Sequence, residues 1–398
     1  GDLREALGEY ETGELLARRA GWLYGEAKCL QGRGVTLKLL GEPHKAPPFY
    51  QRTLSIYRTL GMTGAEKTML LNTASLYGTL GQLAEAEEAI VRALALTDDA
   101  TGDHIHAMAL VNWALVLQEQ ARFDEAKHAL RRSLLASRDS GSLYAQAVTL
   151  ETLARVRSDA GQDARAIRAY EDALRLSRQV GNRNCQVDSL TGLASVKLRT
   201  GQIDEAAEHL ETAKDIAEET GHLTGVVEIL FLRGALSCAA ERYGDALNHL
   251  DRSAGMAAEG NVLTLPRIRT VAAVALLETG SLGEAANSAD QAAEFARRSG
   301  QRLLCARALT ARAAIHEAAG DIRRARAVRD EAQALFAAIG TPVHFRTSAF
   351  WRTEPGARPA GPVRRRPRPE LPADAESRFE TYLTRHFDDV TTEPSAGS

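Results

Sequence analysis

Small and large apolar residues recur along this chain at helical intervals, and glycine interrupts them at a regular spacing. One comb of glycines precedes an alanine by five positions: Gly1, Gly41, Gly81, Gly161, Gly201, Gly280 and Gly320 stand before Ala6, Ala46, Ala86, Ala166, Ala206, Ala285 and Ala325. Ala121 with Ala126 and Glu241 with Ala246 fill its two gaps in phase. A second comb lies halfway between, at Gly21, Gly61, Gly102, Gly141, Gly181, Gly221, Gly260, Gly300 and Gly340, so the chain is punctuated twice in every period. After the second comb, Leu30, Leu70, Leu110, Leu150, Leu190, Leu230 and Leu309 are each followed four residues on by a glycine or alanine. A large and a small residue at i and i+4 share one helix face, which predicts helices that pack closely along that stripe. After the first comb, Ala86, Ile90, Ala93 and Leu94 are echoed by Ala126, Leu130, Ser133 and Leu134 and by Ala166, Tyr170, Ala173 and Leu174, a second helical stripe. Glycine between the two suits a sharp reversal, because it adopts left-handed backbone angles at little cost. No sustained β-branched alternation appears, so the expected class is all-α.

This 40-residue helix-turn-helix unit resembles the tetratricopeptide repeat, on the small-large pattern Leu70, Ala74, Gly81, Ala86, Ile90 and Ala93 and its in-register copies over about Gly1 to Gly340. The resemblance implies an α-solenoid, a right-handed superhelix whose first helices line a concave groove, with eight helix pairs and an unpaired first helix. A single unit cannot bury its apolar face, so neighbours must stack. Pro43, Pro47 and Pro48 fall where one second helix should begin and predict a late start; Pro266 marks a weaker irregularity. Gly1 is in phase with the comb, so the first helix lacks its partner and the chain reads as a piece of a longer protein.

The solenoid is expected over residues 1–345, with Phe345, Phe350 and Trp351 as material for an end cap. Residues 346–372 hold six prolines and seven arginines against two glutamates, a net +5 that reads as an extended or disordered linker. Residues 373–390 place Phe379, Tyr382, Leu383, His386, Phe387 and Val390 on one helical face, and residues 391–398 read as a disordered tail. On its tether this amphipathic helix has two fates, folding back onto the solenoid or docking on a partner.

Composition narrows the function. The charge is −3 over 398 residues, which argues against a direct nucleic-acid partner, and no stretch is apolar enough to cross a membrane. Four scattered cysteines form neither a disulfide framework nor a zinc motif and fit a reducing, cytoplasmic setting. Residues 61–68 brush against the phosphate-loop pattern, but Glu66 stands where a glycine must approach phosphate and a helix, not a strand, precedes it. His104 and His106 are two apart and so point in different directions on a helix, and His209 and His249, with no third ligand beside them, read as surface histidines; His316-Glu317 lacks a second histidine. No catalytic residue, metal or cofactor is therefore expected.

Carried over residue by residue, the resemblance places the groove at Met108, at Glu151, Arg155 and Asp159, at Asp188, Thr191 and Arg199, and at Glu228 and Phe231. Asn72 and Asn112 occupy one register, where 40-residue relatives grip the backbone of an extended peptide; Gly32, Thr152, Gly192 and Leu232 stand there in other repeats. A structural role capping neighbouring helices fits the two asparagines as well. The paired lysines and asparagines of a chaperone-tail clamp are missing. Arginine outnumbers lysine 42 to 7, which suggests a GC-rich genome. With Leu335 to Pro342 closing the array, the chain looks like the C-terminal sensor array of bacterial antibiotic-regulatory and signal-transduction ATPase regulators, a non-catalytic module that binds a protein or an extended peptide. A repeat-only peptide-pheromone receptor or phosphatase-inhibitor is the alternative, and a passive assembly scaffold a third.

Overall fold

The structure, a computed structural model, describes residues 3–40, 42–96, 104–340 and 386. Within them the chain forms seventeen α-helices and no strand. An unpaired α1 (Leu3–Arg19) precedes eight hairpins. Their first helices are α2 (Leu23–Leu39), α4 (Thr63–Thr79), α6 (His104–Glu119), α8 (Leu143–Asp159), α10 (Arg183–Arg199), α12 (Leu223–Ala239), α14 (Leu265–Glu278) and α16 (Arg302–Ala318). Their second helices are α3 (Pro47–Thr59), α5 (Leu83–Ala95), α7 (Phe123–Asp139), α9 (Asp163–Gln179), α11 (Ile203–Thr220), α13 (Tyr243–Gly260), α15 (Leu282–Ser299) and α17 (Ile322–Ile339). The prolines act as expected. Pro43–Lys45 form a 3-10 turn and α3 begins only at Pro47, while Val262–Thr264 form another ahead of α14, which carries Pro266 in its first turn.

The comb is the set of turns. Twelve of its glycines have φ between 64° and 81°, and the two in-phase substitutes, Ala121 and Glu241, take the same left-handed angle at 59°. Each turn closes the preceding helix with two backbone bonds. At Ala121, N–H of Ala121 donates to Gln118 O at 2.9 Å and N–H of Arg122 to Leu117 O at 2.8 Å; at Glu241 the pair runs to Cys238 O and Ser237 O at 3.0 and 2.9 Å. This arrangement satisfies carbonyls that a helix end would otherwise leave without a partner.

Within each hairpin the large-small stripe is buried: Leu70, Leu110, Leu150 and Leu309 are sealed from solvent, as are Ala74, Ala114, Ala154 and Ala313. Each leucine contributes about 2 kcal/mol by leaving water. Where the second stripe carries a hydroxyl, it bonds across the hairpin. Ser133 Oγ donates to Ala107 O and Ser253 Oγ to Val227 O, both at 2.9 Å and 26 residues back.

The chain divides into two compact units, residues 1–101 with 258–263, and residues 102–257 with 264–398. The first holds an apolar core around Tyr50, Met69, Leu70 and Leu76. The core of the second is built from α6 to α10 and α15 to α17, with Leu117, Leu130, Leu150, Leu309 and Phe336 at its centre. The end cap, the linker, the amphipathic helix and the tail lie outside the described residues, His386 excepted.

Candidate functional site

The second unit curls until its ends meet. Gln301, just ahead of α16, donates from Nε2 to Glu119 Oε2 at the end of α6, at 2.6 Å across 182 residues of sequence. Charged side chains from six successive first helices therefore come within electrostatic reach of one another. Glu119 of α6 feels Arg155 and Asp159 of α8 and Arg267 of α14, and Arg307 of α16 feels Asp159, Arg199 of α10 and Arg267. Side chains on the outside of a curl diverge, so this is its inner face.

Most of these charges are locally satisfied. Asp159 accepts from Gln118 Nε2 at 2.6 Å; Arg199 pairs with Asp163 and donates to Ser158 Oγ at 3.1 Å; Arg267 pairs with Glu228. Asp188 contacts His222 Nε2 at 3.1 Å. Glu151 is different. It is 5% exposed, its Oε1 has no hydrogen-bond partner, and the nearest cation, Arg155 Nε, stands 4.0 Å away. Thr152 Oγ1 approaches Oε2 at 3.4 Å, but the hydroxyl's one proton is better placed toward Val148 O at 2.9 Å.

The electrostatics follow from that geometry. Burial pushes the Glu151 carboxyl up to about 7, with Asp188 adding and Arg155 opposing. Burial also raises Glu119 and the Tyr170 phenol, and lowers Arg307 to about 10. Half-buried Arg155 is partly desolvated as well, yet Glu151 and the other acids around it hold its guanidinium above its ordinary value.

Of the residues expected in the groove, Glu151, Arg155, Asp159, Asp188, Arg199 and Glu228 are brought together. Phe231 is 1% exposed and covered by the Arg267 guanidinium, 4.4 Å above its ring, so it presents no open surface. Thr191 is buried too, its hydroxyl donating to backbone carbonyls of its own helix at Val187 and Asp188. Met108 is half-buried in α6. Asn72 lies in the first unit and Asn112 in the second. His209 and His249 are half-buried rather than on the open surface, and burial lowers both.

Glu119, Arg267, Gln301 and Arg307 escape a reading of the sequence, because they join the site only through the curl. Tyr170 was legible only as core. Its ring lies over Gly192, where an added Cβ would come 2.2 Å from Cζ, and Tyr10 lies over Gly32 in the same way at 2.4 Å from Cε1. Gly192 and Gly32 hold the register that carries asparagine in Asn72 and Asn112. At these two glycines a tyrosine from the preceding helix occupies the space. The signal was present as two Tyr-Gly pairs, Tyr10 with Gly32 and Tyr170 with Gly192, at the same spacing.

Away from the inner face, His386 is buried against α8 and α9. Its Nε2 stands 2.9 Å from Asp172 Oδ2, its Nδ1 3.4 Å from Arg157 Nη1, and Arg157 also donates to its carbonyl. Arg157 follows Arg155 by two residues and so projects from the far side of α8. Phe379, Tyr382, Leu383 and Phe387 lie outside the described residues.

Stacked helical hairpins with a polar inner face define a repeat-type protein-interaction module. Over residues 68–99, 105–179 and 186–259 the repeats match family models of the tetratricopeptide repeat. No curated protein matches the chain in sequence. Among solved structures, a Rap protein complexed with competence and sporulation factor is similar at TM-score 0.62 and 14% identity, covering 85% of this chain and 98% of that one. Aspartyl phosphate phosphatase F from Bacillus subtilis is similar at TM-score 0.55 and 13% identity, covering 72% and 73%. At these identities the likeness is one of fold. Among the described residues no helix is long and apolar enough to cross a membrane.

Proposed function

We propose that the inner face of the second unit is a recognition site for a protein segment or extended peptide. On this reading the chain is the non-catalytic sensing part of a bacterial, cytoplasmic regulatory protein. The observation that carries it is the convergence of Glu151 and Arg155 of α8, Asp188 of α10 and Arg267 of α14 onto one face, with a buried carboxyl left unsatisfied. Structural ion pairs need no such gathering of groups from separate repeats. A repeat-only peptide receptor is the second reading. It is supported by the coverage of the Rap protein, which this chain spans almost entirely and whose own partner is competence and sporulation factor. His386 against Arg157 and Asp172 extends the proposal to self-docking of the C-terminal segment outside the groove.

Capture from native cytosol by the parent chain and by Glu151→Arg/Asp188→Arg tests the reading, with bound peptides and proteins read by mass spectrometry. Partners lost by the double variant are expected. Identical catches would replace the groove with a scaffold acting through another surface. In a third arm, His386→Ala should leave capture unchanged, because its contact with Arg157 and Asp172 lies outside the groove.

A further inference from the structure

Glu151 is a buried carboxyl whose one cation, Arg155, stands too far off to hydrogen-bond. At 5% exposure it has lost water, its Oε1 meets no donor, and Arg155 stands 4.0 Å off with 41% of its own side chain exposed. A structural acid at this depth is normally bonded on both oxygens, because an unsatisfied buried carboxylate is costly. Asp188, on the adjacent first helix α10, adds a second negative charge to the same place and keeps 42% of its side chain exposed. Across the inner face six carboxyl groups, with Asp163 included, face the four guanidiniums of Arg155, Arg199, Arg267 and Arg307, an excess of two negative charges once all six are ionised.

Resting on the reading of this face as a peptide site, we propose that Glu151, backed by Asp188, receives a cationic group of the bound segment, an arginine guanidinium or a lysine ammonium. A guanidinium supplies two parallel N–H donors to one carboxylate and leaves others for Asp188. A divalent metal fits less well. Among the described residues no three metal-binding side chains converge, and two carboxylates fall short of the six or more oxygens that calcium takes. The Tyr170 phenol from α9 and the Cys185 thiol from α10 also face Glu151, both kept protonated by burial, so both stay neutral and add no charge beside it.

The ion pair carries a proton linkage. A cation beside Glu151 favours its ionised form, so binding releases the proton held there and strengthens as pH rises through about 7. His222, behind Asp188, and Arg155 are the other charged or titratable groups on that side.

The test screens the immobilised full chain with a random heptapeptide pool at two pH values, about 5.5 and 8, read by mass spectrometry. The expected result is retention of peptides enriched about tenfold in arginine or lysine at one position, more at high pH. Glu151→Gln should lose both the enrichment and its pH dependence, and Asp188→Asn should weaken the enrichment. Replacing the selected arginine by citrulline should cost the parent chain the same factor and Glu151→Gln nothing. A melting temperature for Glu151→Gln at or above that of the parent shows that the loss is not one of folding. Peptides retained with no basic preference would overturn this proposal and leave the peptide site standing. If the parent retains no peptide, both fall.

Discussion

Glu14 and Glu26 in the first unit and Glu151 in the second are buried to the same degree, at 5%, 3% and 5% exposure, yet they are held in opposite ways. Glu14 pairs with Arg18 at 2.8 Å and Arg33 at 2.5 Å, and Glu26 with Arg18 at 3.2 Å and Arg52 at 3.3 Å. Two acids and three arginines thus tie α1, α2 and α3 together. Glu151 has one distant arginine and an empty oxygen. Depth alone therefore marks nothing. What separates a structural acid from a binding one is whether the fold supplies its partners.

The largest effect that would break this comparison is on stability. Replacing Glu14 and Glu26 together by alanine leaves Arg33 with Glu11 alone and frees Arg18 and Arg52. Breaking one buried pair costs about 3–5 kcal/mol, but Arg18 and Arg52 are about half exposed, so about 4 kcal/mol is expected for both acids together. Hydrogen exchange should show the loss in α1 to α3. Glu151→Gln should go the other way. The folded carboxyl holds its proton up to about pH 7, whereas an ordinary one releases it near 4.5. The parent therefore loses stability as pH rises through that window, on the order of 2–3 kcal/mol in all, and the variant does not. Denaturant midpoints across this range decide it: a Glu151→Gln chain less stable than the parent at about pH 8 would make Glu151 structural, like Glu14.

A smaller effect sharpens the same contrast through the two Tyr-Gly pairs. At Gly192 an added Cβ meets the Tyr170 ring at 2.2 Å, and that tyrosine is 2% exposed, so it has no room to withdraw. Gly192→Ala should cost about 2 kcal/mol, as overpacking does, and should disturb the inner face beside it. Gly32→Ala meets Tyr10 as closely, but Tyr10 is 38% exposed and its ring swings toward water. About 0.5 kcal/mol or less is expected there, offset in part by the better helix propensity of alanine. Thermal melts of the two single variants give the comparison directly; equal losses would mean that Tyr10 is as confined as Tyr170.

The fold was almost wholly legible in the sequence, because it is local and repeated. Each glycine, each large-small pair and each proline acts within its own repeat, so Pro47 delays α3 and the comb becomes the turns without any long-range information. The groove faces were legible for the same reason: once one first helix is in register, Glu151, Arg155, Asp188 and Glu228 follow. The site as a whole was not. Glu119 and Gln301 meet because a small rotation per repeat accumulates until α16 returns to α6, and no window of sequence encodes that sum. Phe231 was misplaced for a related reason. Its register is right, but Arg267 from the next first helix lies across it.

The smallest effect tests the turns, where two residues break the glycine rule. Ala121 and Glu241 sit at φ 59°, an angle that twelve comb glycines reach without cost. A side chain there clashes with its own backbone by about 1–2 kcal/mol, while glycine brings extra freedom to the unfolded chain, so Ala121→Gly and Glu241→Gly should each stabilise by about 0.5–1 kcal/mol. The two need not be equal. Ala121 is 7% exposed and its methyl belongs to the core of the second unit, so its removal also forfeits buried area. Glu241 lies at the surface and loses nothing by it. Glu241→Gly should therefore gain the more, a rise of about one degree in melting temperature. A fall at Glu241 would show that its carboxylate holds the turn by a contact worth more than the strain, and that the gap in the comb is a choice rather than a tolerated substitution.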